Sequence, residues 1–434
     1  MKLNYKRTFF VGLAFMSICA FWEMYDNVVP KMLELGFGMK ETATGVVMAL
    51  DNILALILLP LIGAFSDRVN TKYGRRIPFI VVGTGLASIF ALTMPLAHKI
   101  GSLYLFLAAL GAVLIAMGLY RSPAIALMPD ITPKPLRSKA NAIINLMGTL
   151  GGAYTLVVIK LLYTEKGGAS NLPVFLAVVG LMVGAVVLLV IAIKERKLSL
   201  YYNSEEKPEQ KASDEGKPSG KKKQAKAESK MPREVRRSFI FIMSSIFLWF
   251  FAYNAVKSAF SRYASHVWGM EEGGFADPLM IALIAALISY IPIGIISSKL
   301  GRKKVIIGGI ILMSASYLTG FLITDYSFFV NIIFAFTGIG WAAINVNSYP
   351  MVVEMCKGAD TGRYTGYYYT FSMASQAITP IASGFLLEHV SYRTLFPYAV
   401  IFSLASLCTM LFVKHGDSKP EKKAQLLENF DVED

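Results

Sequence analysis

The chain consists largely of apolar blocks of about 20 residues, a length at which an α-helix crosses roughly 30 Å of hydrocarbon. Hydrophobic residues make up 55% of the 434 residues and charged residues 17%. Soluble domains average about 45–50% and about 25%. The blocks therefore indicate an all-α membrane protein.

Twelve blocks are long enough to cross a membrane, which predicts twelve transmembrane helices in two six-helix halves with both termini on one side. The predicted spans are 8–30, 44–65, 77–97, 102–128, 140–162, 172–193, 238–262, 277–297, 305–324, 328–351, 364–387 and 394–413.

Basic residues mark the cytoplasmic side of these spans. Most of the 43 Lys and Arg residues lie in the terminal segments and in alternate loops, which the positive-inside rule places in the cytoplasm. Both termini are therefore predicted to be cytoplasmic, in a multi-pass protein of the plasma membrane. The net charge of +14 follows from this topology, so we do not expect nucleic-acid binding.

Residues 194–237 interrupt the pattern because they are rich in Lys, Glu, Pro and Ser and poor in apolar residues. This composition predicts a basic, flexible cytoplasmic linker, which is able to lie on anionic membrane lipids. The predicted organisation is an N-terminal six-helix bundle (1–193), the linker, a C-terminal six-helix bundle (238–413) and a cytoplasmic tail (414–434).

The two halves resemble each other in their cytoplasmic loops. The segment "GAFSDRVNTKYGRR" (63–76) follows the second span, and "GIISSKLGRKK" (294–304) follows the eighth. The segments "PDITPKPLRSKAN" (129–141) and "PMVVEMCKGADTGRYTG" (350–366) follow the fourth and tenth spans. Two similar six-span halves are typical of transporters that bind their substrate between repeats.

The segment 63–76 is similar to the signature loop of the major facilitator superfamily, and the resemblance extends over nearly the whole chain through the repeat and the linker. It implies a twelve-helix transporter in which arginines bind carboxylates at a cytoplasmic gate. The predicted gate residues are Gly63, Asp67, Arg68, Gly74, Arg75, Arg76, Asp130, Arg137, Glu354 and Arg363.

Within this superfamily, "PLIGAFSDR…GRRIPFI" (60–80) and "ALMPDITPKPLRSKANAIINLMGTLGG" (126–152) resemble the sucrose/proton symporters and the glycoside–pentoside–hexuronide:cation symporters. The resemblance implies coupled transport of a glycoside or disaccharide. Melibiose-type carriers have paired aspartates before the proline of the second helix, whereas Pro60 here follows "ALILL". The acid of this helix lies nearer the outer side, at Asp51.

Three carboxylates lie at least four residues inside predicted spans, and a charge costs at least about 2.5–3.5 kcal/mol at the bilayer centre. Glu23 and Asp26 share one helix face by their spacing, and Asp51 lies at a depth similar to that of Glu23. We predict that the three form a proton-coupling group. The alternatives are an interfacial Asp26 and an Asp51 that only caps a contact with Asn52.

Polar and aromatic residues of both halves predict a sugar site, because aromatic faces and amides suit rings that carry hydroxyl groups. The alternatives are aromatic packing and, for Lys257, an ammonium group that reaches the outer surface. Arg262 is expected to lie outside the membrane. The predicted substrate-binding residues are Arg121, Tyr253, Asn254, Lys257, Trp341, Asn345 and Gln376.

The sequence lacks GxxxxGK[ST], HExxH and GxSxG, and its three cysteines have no metal-binding spacing. We therefore expect neither an enzyme nor an ATP-driven pump, and no cofactor beyond a coupling ion, H⁺ or alternatively Na⁺. The predicted function is proton-coupled sugar symport by alternating access, as a monomer. Sodium-coupled sugar symport, an efflux antiporter for drugs or metabolites, and a non-transporting receptor or scaffold are the alternatives.

Overall fold

The computed structural model describes residues 4–69, 71–132, 137–164, 171–196, 198, 232–271, 273–355 and 361–417. Each predicted span coincides with one long helix, so the twelve-helix fold is confirmed. The helices are α1 (Tyr5–Lys31), α2 (Glu41–Arg68), α3 (Ile77–Ile100), α4 (Leu103–Asp130), α5 (Arg137–Leu162), α6 (Leu172–Ala192), α7 (Arg233–Trp268), α8 (Ala276–Leu300), α9 (Arg302–Leu322), α10 (Phe329–Val353), α11 (Thr361–His389) and α12 (Leu395–Leu411).

Eleven of these helices are long and apolar enough to cross a membrane, and α11 packs among them against α2 and α7. Large apolar side chains cover the outside of the bundle, as at Ile57, Leu61 and Ile89. Such a surface is stable in lipid, where each helix satisfies its own backbone hydrogen bonds. The chain is a multi-pass protein of the cell membrane.

Helix packing repeats between the two halves, α1–α6 and α7–α12. In the first half α1 packs against α5 and α6, and α3 packs against α4. In the second half α7 packs against α11 and α12, and α9 packs against α10 in the same relation. The similarity of the cytoplasmic loops therefore reflects a repeat of the whole helix arrangement.

The halves meet along α2 with α11 and along α5 with α8. Near the outer end of α2 the helices approach so closely that a Cβ on Gly45 would lie 2.2 Å from the carbonyl oxygen of Pro380. On α11, a Cβ on Gly384 would lie 2.5 Å from the carbonyl oxygen of Glu41. Small residues thus allow backbone contact between the halves at their outer ends.

The predicted linker, 194–237, lies mostly outside the described residues, as does the tail beyond 417. The first part of the linker is anchored at Glu195. The buried carboxylate of this residue accepts hydrogen bonds from the backbone N–H groups of Arg75, Arg76 and Ile77 at 2.7–3.0 Å. A carboxylate at this position stabilises the N-terminus of α3. At the other side of the linker, α7 begins at Arg233.

Candidate functional site

A cavity of about 350 Å³ lies between the two halves, within the range of about 300–1,000 Å³ usual for small-molecule sites. Four helices of each half line it: α1, α2, α4 and α5, and α7, α8, α10 and α11. The structure brings every residue predicted for coupling or substrate binding to this cavity: Glu23, Asp26, Asp51, Arg121, Tyr253, Asn254, Lys257, Trp341, Asn345 and Gln376.

An ion pair joins the two halves across the cavity. The ammonium nitrogen of Lys257 on α7 lies 3.1 Å from Oδ2 of Asp26 on α1, and the side chains are 34% and 22% exposed. Lys257 therefore turns towards the cavity and compensates the charge of Asp26.

The other two carboxylates have no cation within ion-pair distance among the described residues. Glu23 Oε1 accepts a hydrogen bond from the amide of Asn27 at 3.1 Å. Asp51 Oδ1 accepts from the backbone N–H and the side-chain amide of Asn52 at 2.5 and 2.7 Å. Both groups accept hydrogen bonds only from neutral amides, so neither has a compensating charge beside it when it is ionised.

Several hydrogen-bond donors on the cavity wall are buried and lack a partner among the described residues: Trp22 Nε1, Arg121 Nε, Asn254 Nδ2 and Ser258 Oγ. The guanidinium of Arg121 lies over the Trp22 ring, 5.8 Å from its centroid. Buried donors without partners are costly, and a ligand rich in acceptor oxygens would satisfy them.

Aromatic rings form one block on the side of the second half. Tyr253 and Trp341 stack with centroids 3.8 Å apart and an interplanar angle of 5°, and Phe250 meets Trp341 edge-on at 5.2 Å. Because Tyr253 and Trp341 cover one face of each other, those two faces are not available to a ligand. Asn345 of α10 and Gln376 of α11 also line the cavity.

At the cytoplasmic end, Arg76 organises the predicted gate of the first half. Its Nε donates to Asp130 Oδ2 at 2.8 Å, and its Nη atoms donate to Asp67 and Ser66. Burial lowers the pKa of the Arg76 guanidinium, but the hydrogen bonds and charges of Asp130 and Asp67 outweigh it and raise the pKa above its ordinary value. Arg75 lies 3.7 Å from Asp130.

The remaining gate residues also lie at the cytoplasmic ends of helices. A Cβ on Gly63 would lie 3.0 Å from Ser122 Oγ of α4, and Gly74 has a positive φ of 123°. Arg68 is exposed, and Glu354 accepts a hydrogen bond from Arg302 within the second half. The side chains of Arg137 and Arg363 lie outside the described residues. The described cytoplasmic ion pairs therefore stay within one half.

At the outer end, in contrast, ion pairs cross between the halves. Arg262 Nε lies 2.8 Å from Glu41 Oε2, and both side chains are 4% exposed. Lys160 lies 2.6 Å from Asp277, in a more exposed pair. Arg262 is buried between the two halves near the outer end of α7. These contacts close the outer end of the cavity.

The sequence profile of the Major Facilitator Superfamily matches residues 11–289 and 263–430. The chain belongs to the major facilitator superfamily. It is a transporter rather than an enzyme.

Three relatives illustrate the sequence similarity. The chain is 29% identical over 118 residues to a sucrose transport protein of Arabidopsis thaliana, covering 23% of this chain and 20% of the relative. It is 28% identical over 192 residues to the human proton-associated sugar transporter A, covering 39% and 25%. An uncharacterised transporter of this type from Methanocaldococcus jannaschii is 24% identical over 90% of both chains. The chain thus spans only a fraction of the two sugar transporters.

Two solved structures share the fold. A bacterial homologue of the iron transporter ferroportin in its inward-facing state has a TM-score of 0.67 at 12% identity, covering 94% of this chain and 99% of that chain. The transporter FucP in its outward conformation has a TM-score of 0.56 at 14% identity, covering 95% and 100%.

Sequence reasoning missed three asparagines in or near the cavity and the role of Glu195. Asn27, Asn52 and Asn145 were not assigned to the site, although each lies in or beside a predicted span and is polar. Glu195 was placed in the linker, and its pairing with the N-terminus of α3 has no local signal. A polar residue inside an apolar block is the only sequence signal for the asparagines.

Proposed function

We propose that this protein is a proton-coupled sugar symporter that works by alternating access as a monomer. The observation that carries the proposal is the composition of the cavity wall, where three carboxylates meet two cations, amide groups and aromatic faces.

The charges on this wall favour uptake of one proton. Glu23, Asp26 and Asp51 carry three negative charges when ionised, against two positive charges on Arg121 and Lys257. Enclosing a net charge away from water is expensive, and one proton removes the excess. Since Asp26 already has Lys257 as a counter-ion, the proton would reside on Glu23 or Asp51.

The loaded carrier would close more easily than the carrier without its proton. With a proton bound, the charges on the wall sum to zero, so occlusion of the cavity no longer encloses an excess charge. Coupling follows because the deprotonated carrier, with its substrate bound, pays the desolvation cost of that charge when it closes.

The same wall suits an uncharged sugar. The free faces of the Tyr253–Trp341 pair would stack on the C–H face of a sugar ring, and the amides of Asn254, Asn345 and Gln376 would bind hydroxyl groups. Sugar hydroxyls are also acceptors for the buried donors of Trp22 and Arg121. The names of two distant relatives, a sucrose transport protein and a proton-associated sugar transporter, agree with this substrate class.

Uptake into proteoliposomes tests the proposal. A panel of labelled mono- and disaccharides is offered with an imposed pH gradient, with a Na⁺ gradient, and with neither. We expect accumulation of at least one sugar with the pH gradient only, and its loss in Glu23→Gln and in Asp51→Asn. If no sugar accumulates, or if both variants retain full uphill uptake, the proposal is wrong. Accumulation with the Na⁺ gradient alone would establish sodium as the coupling ion instead.

A further inference from the structure

A second group of ionisable side chains lies at the outer end of the bundle, away from the cavity. Glu34 lies in the π-helical turn Met32–Gly36 that follows α1, and Glu41 is the first residue of α2. Arg262 and His266 lie near the end of α7, and Tyr392 lies in a short 3₁₀ turn before α12. We call these five residues the outer latch, because the first two belong to one half and the other three to the other.

Hydrogen bonds connect all five residues of the outer latch. Arg262 Nε reaches Glu41 Oε1 and Oε2 at 3.0 and 2.8 Å. The Tyr392 hydroxyl lies 2.9 Å from Glu41 Oε1 and 2.9 Å from Glu34 Oε1. His266 stacks on the Tyr392 ring, with centroids 4.0 Å apart and an interplanar angle of 5°.

The two contacts of His266 set how many protons His266 and Glu34 must hold together if both contacts are hydrogen bonds. Its Nδ1 lies 3.0 Å from the backbone carbonyl oxygen of Arg262, and a carbonyl oxygen only accepts hydrogen bonds, so Nδ1 carries a hydrogen. Its Nε2 lies 3.0 Å from Glu34 Oε1. That contact is a hydrogen bond only if a further proton lies between them, either on Nε2 or on the carboxyl group. With both hydrogen bonds formed, the pair holds one proton more than a neutral histidine beside an ionised glutamate.

The contacts of the Tyr392 hydroxyl also favour an extra proton on the His266–Glu34 pair. It has one hydrogen and lies beside two carboxylate oxygens, so it donates to only one of them at a time. A positive His266 compensates Glu34, and Arg262 compensates Glu41. Without the extra proton, the two carboxylates would share a single cation and a single hydroxyl hydrogen.

One further cation lies close to the outer latch. Lys31 is buried, donates to Ser265 beside His266, and lies over the Phe275 ring at 4.6 Å and the Tyr163 ring at 5.4 Å. Since Ser265 and Phe275 belong to the second half, this lysine also joins the halves. The positive charge of Lys31 does not attract the extra proton of the His266–Glu34 pair. The carboxylates Glu34 and Glu41 must therefore supply the attraction that holds this proton.

We infer that the His266–Glu34 pair is a second proton-binding site, separate from the cavity, whose proton closes the outer end of the transporter. The inference does not depend on the substrate or the coupling ion proposed above. Opening the outer end separates α7 from α1 and releases the proton. Acid therefore stabilises the closed outer end, and a rise in pH through the titration of the pair favours outward opening.

Distance measurements between spin labels test this inference. The labels are attached to Leu35→Cys and Val390→Cys, which are 56% and 65% exposed on opposite halves at the outer end, in a full-length chain without its native cysteines. For one proton, the ratio of closed to open molecules should fall by up to about tenfold per pH unit as the pH rises.

Two variants keep the contacts of the outer latch but remove the extra proton of the His266–Glu34 pair. In Glu34→Gln the amide can donate to a neutral His266, and in His266→Gln the amide can donate to Glu34. We expect both variants to close normally but to lose the pH dependence. His389→Gln is the matched control, because His389 also lies at the outer end of the second half, half-exposed and 3.9 Å from Glu388.

Repeating the measurement in Glu23→Gln/Asp51→Asn separates the outer latch from the cavity. If the outer latch binds the proton, the ratio of closed to open molecules still depends on pH in this double variant, even where transport is lost. A ratio that does not change with pH in the unmodified chain, or one that changes equally in His266→Gln, overturns the inference. Loss of the dependence in the cavity background would assign it to the cavity instead.

Discussion

Replacing Lys257 by Gln should remove the ion pair that joins the two halves at the cavity. The change leaves Asp26 ionised without a counter-ion. At the observed 3.1 Å, the attraction is about 5 kcal/mol for an effective dielectric constant of about 20. Removing one partner of a buried pair costs about 3–5 kcal/mol. The pair is partly exposed, at 34% and 22%, so we take the lower end, about 3 kcal/mol, which corresponds to roughly 100-fold in rate.

The assay is initial sugar uptake into proteoliposomes at several pH values, at protein densities matched by immunoblot. We expect Lys257→Gln to slow uptake about 100-fold at neutral pH. The loss should shrink as the pH falls, because a proton on Asp26 removes the uncompensated charge. The double variant Asp26→Asn/Lys257→Gln should regain downhill exchange, because neither charge remains.

Lys160→Gln is the matched control. Lys160 also pairs with a carboxylate of the other half, Asp277, at 2.6 Å, but its side chain is 47% exposed. Exposed pairs contribute about 0.2–1 kcal/mol, so we expect less than about a fivefold effect. The reasoning is refuted if the two lysine variants behave alike, or if the double variant transports no better than Lys257→Gln.

Three other changes probe the sugar site, the closure and the linker. Trp341→Ala removes the ring that stacks on Tyr253. An aromatic contact contributes about 0.5–1.5 kcal/mol, so we expect the KM for sugar to rise by up to about tenfold. An unchanged KM would exclude stacking of the sugar on this ring. Gly45→Val places a side chain against Pro380, so spin-label distances across the outer end should lengthen and uptake should stop; normal closure would contradict the observed packing. Glu195→Gln weakens the charge at the N-terminus of α3 and should lower the stability by about 1 kcal/mol, seen as a lower Tm; an unchanged Tm would show that the contact is dispensable.

The sequence predicted the elements of the fold well because the bilayer acts on short segments. Each block of apolar residues meets the same hydrocarbon thickness, so its length alone predicts a span. Basic loops predict the side of the membrane for the same local reason. The twelve helices, their repeat and the signature loop 63–76 are therefore read from the chain without knowledge of its packing.

The sequence also selected residues that the structure brings to one cavity, because an ionisable or amide group inside an apolar block is costly unless it has a partner. Partners were not predictable. Asp26 and Lys257 are each local anomalies, and nothing in either segment indicates that they face each other. Their functional roles remain predictions that the uptake assays address.

The sequence by itself determined how many times this chain crosses the membrane, which side its loops occupy and which polar residues lie in the spans. Only the tertiary structure decided which of these residues meet. Glu41 and Arg262 are 221 positions apart, and the sequence placed Arg262 outside the membrane. They pair because two six-helix halves close on each other at the outer end, and contacts between halves depend on helix rotation and tilt, which no local pattern specifies.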